Sequence, residues 1–310
     1  MSNNKIMLTV LKALSYAEID VKKNYRIDRI IENIIHYSPK QLYEMWDQDI
    51  AVDGYKLPVR LFSPKKFRSP EILLFFHGGG WVSGNIETYT KSCAELSRHT
   101  GRRVLSVDYR LAPEYPFPCA PEDCYRVARE LFIHTTQPET AGDRIILMGD
   151  SAGGNLAAVV SLMAADRGEF HVKRQILLYP STYNDHSLAS PFPSVIEKGT
   201  DFLLTSKRLC DYQDLYLQNK EDINNPYFAP LLSDCLEHQP KTLLITAEHD
   251  PLRDEGEAYG KKLSKYGNDV ICYRMKDALH GFFSLPLPFK HVRQCYELIN
   301  EFLDEVIEND

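Results

Sequence analysis

The chain has 310 residues, of which 44% are hydrophobic and 25% are charged, a balance typical of soluble globular proteins. Its formal net charge of −7 argues against nucleic acid and anionic membrane surfaces as partners, because both repel an acidic protein. The seven cysteines are scattered without a Cys-x-x-Cys pair, and no apolar run approaches the roughly 20 residues of a membrane span, so we expect a cytoplasmic protein with reduced thiols.

From about residue 70 onward, short apolar runs alternate with helical patterns. The predicted strands are residues 72–76, 104–107, 145–148, 176–179, 243–246 and 270–274. The predicted helices are residues 89–98, 121–135, 155–165, 255–266 and 291 to about 307. Strands that alternate with helices pair in parallel through right-handed crossovers, so we expect an α/β fold with a mostly parallel central sheet and helices on both faces.

Three segments fall outside this alternation. Residues 47–52 and 57–62 alternate around Asp53-Gly54, which predicts an antiparallel hairpin at the edge of the sheet. Residues 1–45 and 183–227 carry helical patterns without core strands, so we expect them to form a helical cap. The catalytic core would then comprise residues 46–182 and 228–310, and nothing resembling a linker divides the chain into independent domains.

Small residues surround Ser151 in Gly149-Asp150-Ser151-Ala152-Gly153. The motif directly follows a predicted strand and precedes a predicted helix, which is the context of a nucleophile elbow. The string alone is a weak signal, since small residues often mark ordinary turns. Its position between strand and helix leads us to predict that Ser151 is a nucleophile whose hydroxyl stands free at a helix N-terminus.

A glycine-rich motif, His77-Gly78-Gly79-Gly80-Trp81, follows the predicted strand 72–76. Successive glycines allow backbone N–H groups to converge on one point, which indicates an oxyanion hole for acyl transfer. A phosphate-binding loop is the alternative, but no Gly-Lys-Ser/Thr continuation or Gly-x-Gly-x-x-Gly spacing is present. We expect His77 to organise the loop by hydrogen bonding rather than to act as a base.

An activated serine needs an imidazole base and a carboxylate that orients it. Asp250 follows the predicted strand 243–246, and His280 follows the predicted strand 270–274. Both would lie at the carboxyl end of the sheet, where Ser151 also emerges. The sequence therefore predicts Ser151, Asp250 and His280 as catalytic residues.

Alternatives for the acid and the base lie close to Asp250. Glu248 and Asp254 are candidate carboxylates, and His249 is a second imidazole next to Asp250. Asp254 stands at the start of a predicted helix, and its position there is explained more simply by a negative charge that complements the helix dipole. Glu248 would point to the opposite side of an extended chain, so Asp250 ranks first.

Five separated motifs resemble the hormone-sensitive-lipase branch of the α/β-hydrolases, over about residues 55 to 305. They are the glycine-rich motif 77–81, the segment 108–118 (Asp-Tyr-Arg-Leu-Ala-Pro-Glu-Tyr-Pro-Phe-Pro), the elbow 149–155, the acid motif 250–256 and the histidine motif 280–282. The resemblance implies an α/β-hydrolase fold with a mobile helical cap.

The same resemblance implies that the oxyanion donors are the backbone amides of Gly79, Gly80 and Ala152, with Gly78 shaping the turn. We therefore expect a serine esterase that hydrolyses short-chain acyl esters, from acetyl to about hexanoyl, without a metal or cofactor. The expected partner is a small-molecule ester. The sequence is compatible with a homodimer but does not indicate the oligomeric state. An amidase or deacetylase with the same triad is the alternative. A non-catalytic ligand-binding relative or a lipase is less favoured, because the catalytic residue types are all present and no membrane-binding helix is evident.

Overall fold

The computed structural model describes residues 20–39, 42–134, 144–200, 204–285 and 289–305. Strands within these residues form one eight-stranded sheet. The strands are β1 (Met45–Val52), β2 (Tyr55–Phe62), β3 (Ile72–Phe76), β4 (Arg103–Val107), β5 (Ile145–Asp150), β6 (Arg174–Leu178), β7 (Lys241–His249) and β8 (Val270–Leu279). Their spatial order is β1-β2-β4-β3-β5-β6-β7-β8, and only the pairs β1/β2 and β2/β4 are antiparallel.

Helices connect these strands. They are α1 (Val21–Ile35), α2 (Thr90–Thr100), α3 (Cys119–Ile133), α4 (Ala152–Arg167), α5 (Pro193–Lys198), α6 (Ser206–Tyr216), α7 (Arg253–Lys265) and α8 (Lys290–Asp304). Side chains of α3, α4 and α7 pack on one face of the sheet, and those of α2 and α8 pack on the other. The sheet is therefore covered on both sides.

Strand β3 illustrates why the parallel strands are continuous apolar runs. Leu74 and Phe76 belong to the core on the side of α4, whereas Leu73 and Phe75 belong to the core on the side of α8. Successive side chains of a strand point to opposite faces, so a strand buried on both faces needs apolar residues at every position. All four side chains are buried.

The predicted α/β architecture, with its mostly parallel sheet and helices on both faces, is confirmed. The edge hairpin is present as well, with Val52 opposite Tyr55 and positive φ angles of 40° at Asp53 and 88° at Gly54. The largest change of boundary is in β8, which extends to Leu279 instead of ending at residue 274. It continues along β7 through a register shift, which local sequence pattern does not encode.

The two segments predicted as a cap contain helices where the structure describes them. Helix α1 packs against α6, and Lys22 of α1 forms ion pairs with Asp211 and Asp214 of α6. Residues 1–19, 40–41 and 201–203 of these segments lie outside the described residues, as do residue 135 of one predicted helix and residues 306–307 of another. Within the described ranges, no helix is both long and apolar enough to cross a membrane.

Candidate active site

Ser151 lies in the turn between β5 and α4, with φ 56° and ψ −120°. This positive φ is strained for a residue with a side chain, and it persists only where close packing enforces it. The neighbouring glycines provide that packing. A Cβ atom at Gly149 would overlap the carbonyl of Gly153, and a Cβ atom at Gly153 would overlap the carbonyl of Phe76. The small residues of the motif are thus required by direct contact between backbone segments.

The structure brings Ser151, His280 and Asp250 together. Ser151 Oγ lies 2.9 Å from His280 Nε2, and Nδ1 of the same ring lies 2.7 Å from Asp250 Oδ2. Asp250 is fully buried, and its Oδ1 accepts a hydrogen bond of 2.9 Å from the Leu252 amide. The Tyr179 ring packs edge-on against the His280 ring, with 4.9 Å between centroids. The imidazole is therefore fixed on two sides, by a carboxylate and by an aromatic ring.

The alternative carboxylates have other contacts. Glu248 Oε2 accepts a hydrogen bond from the Asp277 amide, which lowers the pKa of the Glu248 carboxyl. Asp254 accepts one from the Ser194 amide and pairs with the Arg253 guanidinium.

The alternative histidine, His249, lies with Glu248 and Asp277 in a cluster whose potential ligand atoms are within 4.8 Å of one another. The oxygen that contacts His280 belongs to Asp250.

The glycine-rich loop turns sharply beside Ser151. Gly79 and Gly80 have positive φ angles of 116° and 61°, a conformation that favours glycine. A Cβ atom at Gly79 would overlap the Ser83 carbonyl, and one at Gly80 would overlap the Tyr212 ring. Among the described residues, none accepts a hydrogen bond from the amides of Gly79, Gly80 or Ala152. These three predicted donors are therefore free to bind a ligand oxygen.

His77 contacts the loop rather than Ser151. Its Nδ1 lies 2.8 Å from the Gly78 carbonyl oxygen, and its ring stacks on Tyr109 with 4.2 Å between centroids. The Tyr109 hydroxyl donates a hydrogen bond of 2.7 Å to the His77 carbonyl. Burial lowers the pKa of His77 to about 4, so the ring is neutral at physiological pH. These contacts fit the predicted organising role.

Asp150 is a further part of the site that sequence reasoning missed. Its Oδ1 accepts a hydrogen bond of 3.0 Å from the Gly78 amide, and its Oδ2 accepts bonds from the hydroxyls of Tyr89 (3.1 Å) and Tyr179 (3.3 Å). Burial raises the pKa of the Asp150 carboxyl to about 6, against the opposing effect of these hydrogen bonds. Its place inside the elbow motif was the one available signal, but its partners are distant in sequence.

Helix α1 also reaches the glycine-rich loop. Arg29 Nε donates a hydrogen bond of 2.6 Å to the Val82 carbonyl. Glu32 accepts hydrogen bonds from the Ser83 hydroxyl (3.1 Å) and the Gly84 amide (3.3 Å). The amphipathic pattern of this segment predicted a helix, but not these contacts. Two side chains of α1 therefore restrain the segment that follows Gly80.

A narrow cavity of about 320 Å³, its mouth included, opens beside Ser151. One wall carries the Ser151 side chain and the candidate oxyanion residues, and the other comes mainly from residues 183–227. The lining residues are Gly80, Trp81, Ser151, Ala152, Ser181, His186, Leu204, Leu209, Tyr212, Gln213 and Leu252. The cavity is thus positioned to hold one substituent of a molecule that reacts at Ser151.

Comparisons with known proteins identify relatives of this chain. A family model described as alpha/beta hydrolase fold matches residues 73–284. The chain is 36% identical over 264 residues to an arylesterase of Saccharolobus solfataricus, covering 85% of this chain and 84% of that protein. It is 33% identical over 238 residues to an ethyl acetate hydrolase of Pseudomonas putida, covering 75% and 73% of the two chains.

A solved structure shows the same architecture over nearly the whole chain. The hyperthermophilic esterase from the archaeon Pyrobaculum calidifontis superposes with a TM-score of 0.83 at 33% identity, covering 98% of this chain and 97% of that one. The sheet, the nucleophile elbow and these similarities together show that the chain belongs to the α/β-hydrolase fold family, in its hormone-sensitive-lipase-like branch.

Proposed function

We propose that this protein is a serine carboxylesterase in which Ser151, His280 and Asp250 form the catalytic triad. The observation that carries the proposal is the continuous contact from Ser151 Oγ to His280 Nε2 (2.9 Å) and from His280 Nδ1 to Asp250 Oδ2 (2.7 Å). The first distance allows the Ser151 proton to pass to His280, and the second holds the His280 ring against the Asp250 carboxylate. The names of the relatives, arylesterase and ethyl acetate hydrolase, support ester hydrolysis as the activity.

The reaction follows from this geometry. Ser151 Oγ attacks the acyl carbon of the ester while His280 Nε2 takes the hydroxyl proton. The buried Asp250 carboxylate stabilises the imidazolium that forms and keeps its Nε2 directed at Ser151. His280 then protonates the leaving alcohol, which departs and leaves an acyl-enzyme. A water molecule then attacks the acyl carbon while His280 takes its proton. As the bond from the acyl carbon to Ser151 Oγ breaks, His280 returns the proton to Oγ and the carboxylic acid is released.

The negative oxygen of each tetrahedral intermediate would be bound by the amides of Gly79, Gly80 and Ala152. Their lack of an acceptor among the described residues supports this assignment. The Ala152 amide is also the first of helix α4, where the helix dipole favours negative charge. Loss of one such donor typically costs about 3 kcal/mol of transition-state stabilisation. His77 and Gly78 would hold the loop in the conformation that presents these amides.

Segments 1–45 and 183–227 would form a cap over this site, and residues 46–182 and 228–310 would form the catalytic core. Contacts of α1 with α6, and the contribution of residues 183–227 to the cavity wall, support this division. The narrowness of the cavity beside Ser151 supports a preference for short acyl groups, from acetyl to about hexanoyl. The expected partner is a small-molecule ester.

The nucleophile is tested with Ser151→Ala. The variant is expected to lose p-nitrophenyl butanoate hydrolysis by at least a thousandfold and to lose labelling by a fluorophosphonate probe. Full retained activity would disprove the assignment. A non-catalytic relative would show no labelling of the unmodified protein.

Acyl preference is tested with p-nitrophenyl esters from acetyl to decanoyl. We expect kcat/KM to peak at or below hexanoyl, and a maximum at decanoyl would contradict the short-chain proposal. A matched p-nitroanilide measures the amidase alternative, which predicts comparable kcat/KM for ester and anilide.

Light scattering after gel filtration measures the oligomeric state and decides whether the protein forms a homodimer.

A further inference from the structure

A hydroxyl group from the segment 183–227 contacts the loop that follows Asp250. Ser194 is fully buried, and its Oγ donates a hydrogen bond of 2.7 Å to the Pro251 carbonyl oxygen. The same Oγ accepts a hydrogen bond of 3.1 Å from the Asp254 amide, 60 residues away in sequence. One side chain of the segment therefore holds two backbone groups of this loop.

The Ser194 hydroxyl supplies a helix cap that the local sequence does not provide. Helix α7 begins at Arg253, and its N-cap residue is Leu252, whose side chain forms no capping hydrogen bond. The first amides of a helix have no partner within the helix, so a side-chain oxygen commonly accepts from one of them. In α7, the Asp254 amide finds that oxygen on Ser194.

The contact between α5 and α7 is reciprocal. Ser194 is the second residue of α5, and its own amide donates a hydrogen bond of 2.8 Å to Asp254 Oδ2. Each helix thus receives one capping bond at its N-terminus from a side chain of the other. A capping box has the same pair of bonds, but there both residues belong to one helix. Movement of α5 away from α7 would break all of these bonds.

The loop that Ser194 holds also holds the proposed triad acid. Pro251 directly follows Asp250, and the Leu252 amide donates a hydrogen bond of 2.9 Å to Asp250 Oδ1. The other oxygen of this buried carboxylate lies 2.7 Å from His280 Nδ1. A displacement of the loop would therefore move the carboxylate that orients the imidazole.

We propose that Ser194 is a positioning residue for the triad, and that it acts on Asp250 through residues 250–254. This inference rests on the proposed function and adds a residue to it from outside the triad and the oxyanion loop. Misplacement of a catalytic group by about 1 Å can lower a rate by about a hundredfold. A hydrogen bond that holds Asp250 in place should therefore affect kcat as well as stability.

The first test is Ser194→Ala, measured with p-nitrophenyl butanoate. We expect kcat to fall about tenfold or more with KM changed less than about twofold, because misdirection of His280 acts on the transition state rather than on substrate binding. Ser194→Cys keeps most of the side-chain volume but hydrogen-bonds weakly, so its kcat should fall as well.

Two outcomes of this test would overturn the inference. One is an unchanged kcat in a Ser194→Ala variant that is folded by circular dichroism. The other is full activity of Ser194→Cys alongside a loss in Ser194→Ala, which would assign the effect to packing.

Thr205→Ala is the matched control for Ser194→Ala. Thr205 is the N-cap residue of α6 in the same segment, and its side chain accepts a hydrogen bond of 3.2 Å from the Arg208 amide. Each substitution removes one capping hydroxyl and should lower the midpoint of urea denaturation. Only Ser194→Ala should lower kcat. Equal losses of kcat would assign the effect to the stability of the segment and contradict the inference.

A double-mutant cycle with Asp250→Asn shows whether Ser194 acts through the acid. Single-turnover release of p-nitrophenol is measured and corrected with Ser151→Ala. In the Asp250→Asn background, we expect Ser194→Ala to change this rate less than about twofold, because the carboxylate that Ser194 positions is already gone. A loss that stays about tenfold in that background would rule out action through Asp250.

The same cycle separates this inference from the proposed function. If Asp250→Asn is impaired and Ser194→Ala is not, only the inference fails. If Asp250→Asn keeps the rate of the unmodified protein, the proposed triad fails and the inference fails with it.

Discussion

Asp150 Oδ1 accepts a hydrogen bond of 3.0 Å from the backbone amide of Gly78. The residue that precedes Ser151 thus holds the glycine-rich loop, so the elbow and the loop are parts of one buried network. Tyr89 joins them, because its hydroxyl accepts from the Gly78 amide and donates to Asp150 Oδ2. The Asp150 side chain therefore links the residue next to Ser151 to the loop that carries the Gly79 and Gly80 amides.

The buried carboxyl of Asp150 should make stability depend on pH. Its pKa in the folded protein, about 6, lies above its ordinary value of 3.8, so the folded state holds this proton more tightly than the unfolded state. The resulting stabilisation is fully present below pH 3.8 and is lost as pH rises through about 6. Asp150→Asn lacks this titration.

We therefore expect the free energy of unfolding of the unmodified protein to fall relative to Asp150→Asn by about 2 kcal/mol between pH 4.5 and 7. Urea denaturation of both proteins across this range measures the difference. A difference independent of pH would show that Asp150 titrates normally.

The contact between Glu32 and the glycine-rich loop should affect turnover. Glu32→Ala removes the acceptor for the Ser83 hydroxyl and the Gly84 amide, which frees the segment just beyond Gly80. We expect kcat for p-nitrophenyl butanoate to fall about tenfold with KM changed less than about twofold, because the lost positioning acts on the transition state.

Ile34→Ala is the matched control for Glu32→Ala. Ile34 lies on the same helix and is 71% exposed, so kcat should be unchanged. Equal losses of kcat in both variants would assign the effect to the helix as a whole rather than to the Glu32 carboxylate.

Gly153 should tolerate no side chain. An added Cβ atom would overlap the backbone carbonyls of Phe76 and His77, which cannot move without displacing β3. We expect Gly153→Ala to lower the free energy of unfolding by about 3 kcal/mol or more. Chemical denaturation followed by fluorescence measures it.

Gly168→Ala is the control for Gly153→Ala, because it introduces backbone strain without steric overlap. Gly168 ends α4 with φ 65° and has open space around it, so alanine there should cost only about 1 kcal/mol. If Gly153→Ala were as mild as Gly168→Ala, the close approach of the elbow to β3 would be wrong.

Arg60 should contribute strongly to stability at the hairpin. The side chain is fully buried in β2, pairs with Asp47 and Glu87, and donates to the Thr90 hydroxyl. Arg60→Met removes the charged hydrogen bonds that the buried guanidinium makes to both carboxylates, and we expect a loss of about 3 kcal/mol in the free energy of unfolding. The midpoint of urea denaturation measures this loss.

Lys56→Met on the same strand is the control for Arg60→Met. Lys56 is 73% exposed and its ion pair with Asp49 is 3.8 Å long, so we expect a change below about 0.5 kcal/mol. Similar effects for both variants would show that burial of the Arg60 pair adds nothing.

Several elements were predictable because their causes are local. The apolar run 145–148, the small residues of the elbow and the helical pattern after it are adjacent in sequence, and strand β5, the turn at Ser151 and helix α4 follow in that order. The Asp53-Gly54 turn likewise needs two positive φ angles, which these two residue types accept readily. Boundaries were less accurate, as the extension of β8 to Leu279 shows, because they depend on pairing with β7.

The supporting contacts of the site were not predictable. Gly78 and Asp150 are 72 residues apart, and Glu32 and Gly84 are 52 apart, so no periodicity connects them. His186 and Glu255 meet in the same way, across 69 residues. Taken alone, each polar residue of these pairs looks like an ordinary residue of a loop or helix.

The sequence by itself determined which residue types stand at the ends of the central strands, and the order of Ser151, Asp250 and His280 along the chain. These follow from apolar runs, turn residues and small side chains that act on their immediate neighbours. Only the tertiary structure decided that Asp250, and not Glu248 or Asp254, contacts His280. Strand order and register bring distant segments to one edge of the sheet, and this depends on packing across the whole core rather than on any local pattern.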